Sequence, residues 1–212
     1  MVCGSPLVAS ADLLRRLVGE CDHVVAVDRG LDALLGARLS CDVYVGDADT
    51  VSEAGRALVD AAEDFEVERH DPYKDYTDLA LALDSVRRRW TGAEVVATCA
   101  TGGRPDMALS VLGLLASYAD APVWIEEDEV TARILHQDET WTIENAEGKT
   151  FSIIAIDPNT KVSEHGLEWE LDHSPLGLLA DTGISNVVRS TATIQVHTGT
   201  AIAYLYQETF RV

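Results

Sequence analysis

The chain has 212 residues, 16 of them basic and 36 acidic, for a formal net charge of −20. Such a surface repels a nucleic-acid backbone, which excludes a protein that tracks phosphates along a nucleic acid. No apolar run approaches the roughly 20 residues that span a bilayer, and "MVCGSPLVAS" lacks the basic-then-apolar order of a secretory leader. The expectation is a soluble cytoplasmic protein with neither nucleic-acid nor membrane partners. Its 47% hydrophobic and 25% charged residues are ordinary for a globular fold. An acidic solvated surface and adaptation to high salt both account for the charge. Cys3, Cys21, Cys41 and Cys99 are scattered without a CxxC pair, so free thiols are expected rather than zinc or a disulfide framework.

In chain order, "HVVAVD" (23–28) is an apolar, β-branched run, "RGLDALLGARL" (29–39) has helical spacing, and "DVYVGD" (42–47) is apolar again. A helix near 52–63 precedes the strand-like "FEVERH" (65–70). The segment "YTDLALALDSVRRRW" (76–90) places Leu79, Leu83 and Val86 on one helical face and gathers arginines where the helix dipole favours them. The strand "AEVVATCA" (93–100), the helix "PDMALSVLGLLASY" (105–118) and the apolar "PVWIEE" (122–127) complete the series. Repeated β–α units predict an N-terminal α/β domain, residues 1–126, with a mainly parallel sheet.

Beyond residue 126 the pattern changes to short alternating runs. "TWTIEN" (140–145), "TFSIIAI" (150–156), "TATIQVHT" (191–198) and "AIAYLYQE" (201–208) read as antiparallel strands, with Gly148, Gly166, Gly177 and Gly183 at turns. Residues 127–212 are therefore expected to form a small all-β sandwich domain.

Open parallel sheets bind ligands at the carboxyl ends of their strands, and the most polar sequences fall there. Asp28 ends one strand, Asp47 and Asp49 follow "VYVG", "HDPYKDYTD" (70–78) follows "FEVER", and "TGGRPD" (101–106) follows "EVVATCA". Each cluster also has a purely structural reading. Asp28 suits a helix cap, Asp47 and Asp49 a solvated turn, and Asp75 with Asp78 a capping box. The Gly102-Gly103 turn leads into a helix whose free N–H groups suit a phosphate. Taken together, two aspartates at i, i+2 and a third from another loop suit a magnesium ion that keeps positions open for phosphate oxygens and water. Lys74 and Arg104 supply the charge that phosphates need. Neither GxxxxGK[ST] nor GxGxxG is present, which excludes a P-loop and a standard dinucleotide fold.

Read in order, "VDRG", "DVYVGDADT", "YKDYTDLALAL", "ATGGRPD", "GLEWEL" (166–171) and "GISN" (183–186) resemble the signatures of the thiamine pyrophosphokinase family. The resemblance covers nearly the whole chain and implies transfer of pyrophosphate from ATP to the hydroxyl of thiamine, giving thiamine diphosphate and AMP. It also implies Mg2+, a β-sandwich that meets thiamine, and a homodimer with thiamine pockets between subunits. By the same resemblance Asp47, Asp49 and Asp78 match the magnesium-site acids. Asp28, Lys74, Thr77, Arg104 and Asp106 match polar residues around the nucleotide, and Ser185 and Asn186 match residues that meet thiamine. Arg29 departs from the family's Asp-Gly-Gly turn and Met107 from its histidine. Two further readings remain: a pyrophosphokinase acting on a hydroxymethylpterin-type alcohol, and a catalytically weak nucleotide or thiamine sensor. Trp141 and Trp169 are candidates for stacking on thiamine, with core packing as the expectation for each.

Overall fold

The central parallel strands of the first half are short and fully buried, as sheets covered on both faces require, whereas the edge strand is partly exposed. In the computed structural model, which describes residues 1–208, β1 (Val25–Val27), β2 (Val43–Gly46) and β3 (Glu66–Arg69) pair in parallel in the order β1-β2-β3. On the free side of β1, Val2 bridges in parallel to Ala26 and to Thr98, just beyond β4 (Val95–Ala97). Val2 N–H donates to the Val25 carbonyl, the Val2 carbonyl accepts from Val27 N, and Cys3 N donates to Thr98. A residue not expected in any strand thus joins the two halves of the sheet. The order reverses around it: β2 and β3 extend to one side of β1 and β4 lies on the other. Such a reversal opens a crevice at the carboxyl ends of the strands.

The connecting helices follow the expected spacing. They are α2 (Gly30–Gly36), α3 (Glu53–Asp60), α4 (Asp78–Arg89) and α5 (Pro105–Ala116). They are preceded by α1 (Ala11–Glu20), an amphipathic helix capped by Ser10, whose hydroxyl accepts from Leu13 N at 3.2 Å; the strand-led reading of the sequence does not contain it. Leu79, Leu83 and Val86 of α4 are buried as predicted. One core of this unit gathers Val2, Leu14, Leu31, Leu34 and Tyr44.

The chain divides into two compact units, Met1–Ala121 and a second beginning at Pro122. β5 (Val123–Glu127), the last apolar run of the expected series, pairs antiparallel with β6 (Val130–His136) and lies in the second unit. The rest of that unit is β7 (Thr140–Ile143), β8 (Thr150–Ala155), β9 (Lys161–Leu167), β10 (Leu171–Pro175), β11 (Asn186–Thr198) and β12 (Thr200–Tyr206). One antiparallel set runs β5-β6-β12-β8 and the other β10-β9-β11-β7. The 13-residue β11 links them, pairing with β8 through Asn186 and Val187 and with β9 and β7 farther on. A core of Trp141, Phe151, Ile153, Ile194 and Val196 lies within this sandwich. Cys3, Cys41 and Cys99 are buried cysteines. No helix among the described residues is long and apolar enough to cross a membrane.

Candidate active site

Two strand ends and a helix start of the first unit deliver carboxylates to one point. Asp28 follows β1 with a φ of 47°, a left-handed turn that sends the chain directly into α2. It is not a cap: the N-cap of α2 is Arg29, which makes no capping hydrogen bond. Asp47 follows β2, and Asp78 is the first residue of α4. One carboxylate oxygen from each of Asp28, Asp47 and Asp78 lies within 4.8 Å of the others. Lys74 closes the group, with Nζ 2.6 Å from Asp47 Oδ2 and 3.0 Å from Asp78 Oδ1.

Asp47 and Asp78 therefore converge, but the third carboxylate is Asp28 rather than the expected Asp49. Local chain geometry explains the exchange. Ala48 takes a φ of 63°, and Asp49 N–H donates to Asp47 Oδ1 at 3.0 Å, a tight Asx turn that leaves Asp49 exposed beside Asp47. Thr50 then reaches back, its hydroxyl donating to Asp28 Oδ2. One other sequence reading also changes. The N-cap of α4 is Thr77, whose Oγ1 accepts from Ala80 N at 3.3 Å, so Asp75 and Asp78 do not form a capping box. Thr77 keeps its place on the cavity wall while serving as that cap.

The charges in the cluster perturb one another. Burial raises Asp28 above the usual carboxylate range; the Thr50 hydroxyl opposes this, and the charges of Asp78 and Asp47 add to it. Burial likewise raises Asp78, only partly offset by Lys74. Burial also pulls Asp47 upward, but hydrogen bonds from Lys74 and Asp49 outweigh it and leave Asp47 low. Asp49 is raised, by desolvation and then by Asp47. Desolvation lowers Lys74, and its pairing with the carboxylates of Asp47 and Asp78 more than restores it, so it stays a firm cation. One ammonium thus faces three carboxylates, an excess of negative charge that suits a divalent cation. Two oxygens remain to be satisfied. Asp28 Oδ1 is buried without a hydrogen-bond partner, and Asp78 Oδ1, although close to Lys74, lies outside hydrogen-bond geometry. The donor set is all oxygen, as a hard cation such as magnesium requires.

Beside the acids lies a cavity of about 590 Å³, in the crevice where the strand order reverses. Asp28, Lys74, Thr77 and Asp78 form its acidic and phosphate-competent side. Gly102, Arg104 and Met107 line another wall. Cys3, Gly4 and Ser5, which follow the Val2 bridge, also line it; nothing in their residue types marks them in the sequence, and only the pairing of Val2 places them there. Gly102 and Gly103 have φ values of 100° and 72°, and a Cβ on them would meet Leu7 and Pro6 at 2.5 and 2.6 Å. The turn is thus shaped to pack against the N-terminal loop as well as to open toward the cavity. Arg104 forms a fork with Asp106, Nε to Oδ1 at 3.1 Å and an Nη to Oδ2 at 2.5 Å, and both are exposed. Asp106 therefore holds the arginine instead of lining the cavity. Arg29 also lines the cavity, is exposed, and has no ion-pair partner among the described residues.

In the second unit, Ser185 takes a φ of 57° and its N–H donates to Ser152 Oγ at 3.0 Å. Asn186 is buried, and its carboxamide is spent internally: Nδ2 donates to the Trp169 carbonyl at 2.7 Å, and Oδ1 accepts from Trp169 N at 3.1 Å and Val187 N at 2.9 Å. It thus acts as a clamp on the turn between β9 and β10. Trp141 is a core residue, edge-on to Trp124. Trp169 is not: it is 61% exposed, because the clamp engages its backbone and leaves its indole outside.

Residues 14–125 match the family model described as "Thiamin pyrophosphokinase, catalytic domain", and residues 137–202 match "Thiamin pyrophosphokinase, vitamin B1 binding domain". Thiamine pyrophosphokinase 1 of Arabidopsis thaliana is 27% identical over 169 residues, covering 72% of this chain and 60% of its own length. The chain thus spans under two thirds of that curated relative. The crystal structure of thiamin pyrophosphokinase from Geobacillus thermodenitrificans superposes with a TM-score of 0.79 at 25% identity, over 99% of this chain and 97% of that one. The enzyme from Candida albicans shares the fold, with a TM-score of 0.81 at 12% identity over 97% and 88% of the two chains.

Proposed function

Because the chain belongs to the thiamin pyrophosphokinase family, we propose that it transfers the terminal pyrophosphoryl group of ATP to the hydroxyl of thiamine. The observation that carries this reading is the convergence of Asp28, Asp47 and Asp78 beside the cavity at the strand reversal. In the reaction a bond forms between the thiamine hydroxyl oxygen and the β-phosphorus. The bond from that phosphorus to the oxygen bridging it to the α-phosphate breaks, AMP leaves, and the hydroxyl loses its proton.

The acids would hold a divalent cation, magnesium in this reading, with Asp49 adjacent to it. When bound, that ion neutralises charge on the phosphate oxygens. Lys74 sits between Asp47 and Asp78 and orients both carboxylates while adding positive charge beside the phosphates. Thr77 and the Gly102–Gly103 turn shape the phosphate side of the cavity. Arg104, released from Asp106, has the planar fork that binds phosphate oxygens in pairs. In our reading residues 1–126 form the nucleotide- and metal-binding catalytic domain. Residues 127–212 form the thiamine-binding and dimerisation domain of a homodimer, where Ser185 and the exposed Trp169 meet the acceptor and Asn186 holds them in place. Family membership favours thiamine over a pterin-type acceptor, and the intact acidic cluster favours an enzyme over a sensor.

Incubating the protein with thiamine, ATP and magnesium chloride and separating the nucleotides is expected to give AMP and thiamine diphosphate in equal amounts. Formation of ADP, or transfer to a hydroxymethylpterin and none to thiamine at any salt concentration, would overturn the assignment. Arg29 provides a second test. Its unpaired guanidinium is placed to meet a polyphosphate, so Arg29→Ala is expected to raise KM for ATP by roughly two- to fivefold with kcat little changed, the range for a solvent-screened charge contact. An unchanged KM would place Arg29 outside the nucleotide contact.

A further inference from the structure

Glu164 is a carboxylate in the wrong place for an ordinary strand residue. It lies on β9, is 0% exposed, and stands opposite the buried Ile194 of β11 and beside Leu171 of β10. Its Oε2 accepts a long hydrogen bond, 3.4 Å, from Asn186 Nδ2, and its Oε1 is buried with no partner. A side chain on Gly183 would come within 3.6 Å of that oxygen, so the segment leading to Ser185 passes directly over it. Asn186 is the same carboxamide that grips both backbone groups of Trp169. One buried acid therefore underlies the two structures assigned to the acceptor: the Gly183–Asn186 segment and the Trp169 turn.

We propose that Glu164 is a positioning residue for the acceptor segment: while protonated it stays buried beneath Gly183 and beside Asn186, keeping Asn186, Trp169 and Ser185 in place, and when it ionises its unpaired buried charge favours an opening of that segment to water. This rests on the acceptor reading given above. A neutral carboxyl fits an apolar site, whereas an unpaired carboxylate there is strongly disfavoured. No compensating charge is at hand. β8 carries no charged residue. Of the charged side chains on the strands around Glu164, Lys161 is exposed. His165 faces Glu170, Asp172 faces His173, Arg189 pairs with Glu168, and His197 bonds Ser163. Burial accordingly pushes Glu164 up to about 7, opposed only by the Asn186 hydrogen bond.

The sign follows. An acid whose folded value lies above its unfolded one binds its proton more tightly when folded. The stability it contributes is complete below the unfolded value near 4.5 and falls as pH rises to about 7, after which the loss is constant. A local opening that lets water reach Glu164 is favoured over the same range.

The test compares wild type with Glu164→Gln, which keeps the shape and the acceptor for Asn186 but cannot ionise. Hydrogen exchange is followed without substrate in peptides covering Trp169 and Ile184–Asn186, from pH 5.5 to 8.5. Taking the ratio of the two proteins at each pH cancels intrinsic exchange chemistry. The wild-type to variant ratio is expected to rise at least about tenfold across this range, and KM for thiamine is expected to rise with pH in wild type and stay level in the variant. An exchange ratio independent of pH overturns the proposal. Should the variant not fold, a carbon-13 titration of the wild-type glutamate carboxyls decides: a buried carboxyl titrating near 7 together with the Trp169 amide supports it, and all carboxyls titrating in the ordinary range overturn it. Because exchange is read without substrate, absent thiamine turnover would count against the acceptor reading alone.

Discussion

Asp47→Asn is expected to lower kcat/KM by roughly 10²- to 10³-fold, the range for removing one group that stabilises transition-state charge, while the protein remains folded. The substitution removes one of three convergent carboxylates and leaves the shape of the site intact. Lys74 keeps Asp78 as a partner, and repulsion on Asp28 and Asp78 is relieved, so the thermal midpoint should move by no more than about a few degrees. The same argument predicts that excess magnesium restores part of the lost rate, because the remaining acids still bind the ion, only more weakly. Steady-state kinetics over a magnesium series and a melting curve check both parts. Full activity in Asp47→Asn would remove the acids from the mechanism, and an unfolded variant would show that the cluster serves stability.

Gly30→Ala is expected to have the largest effect on stability. Gly30 opens α2 directly against the strand residue Val2, and a Cβ there would lie 1.8 Å from the Val2 carbonyl oxygen and 2.6 Å from its carbon. Both are backbone atoms of the residue that joins β1 to the β4 side of the sheet, so relief requires moving that junction. A cost of about 3 kcal/mol, the upper end of the usual range for overpacking, is expected. Gly36→Ala in the same helix is the control: nothing lies within 4 Å of its Cβ, so it should be neutral or stabilising by up to about 1 kcal/mol. Denaturant melts of the two variants separate a steric cause from a general intolerance of alanine in α2.

The acids of this site are legible in the sequence because their chemistry is local: "GDAD" announces two carboxylates at a strand end. Which three converge is not legible. The left-handed Ala48 and the Asx turn through Asp47 swing Asp49 aside, and the choice of Asp28 depends on a parallel pairing of β1 with β2 that only the fold fixes. The second unit shows the same limit. β9 escapes a periodicity reading because its inward positions include Glu164, which the alternation rule assigns to solvent. β10, "LDHSP", carries almost no apolar residue and exists by pairing with β9. Trp169 is misjudged for a related reason: hydrophobicity predicts burial, and a clamp on its backbone prevents it.

The position of Val2 at the middle of the parallel sheet also sets an order of events in folding. Its neighbour Cys3 bonds to Thr98, so closing this junction requires a loop that spans nearly the whole first unit. Loop closure over such a span is entropically costly and slow compared with the hairpins of the second unit, such as β5 with β6. The loop after Val2 is part of the cavity wall, so the cavity acquires its final form in that late step. In a refolding experiment, recovery of nucleotide binding should therefore lag behind the recovery of strand signal, and substitutions that weaken the Val2 junction should lengthen that lag.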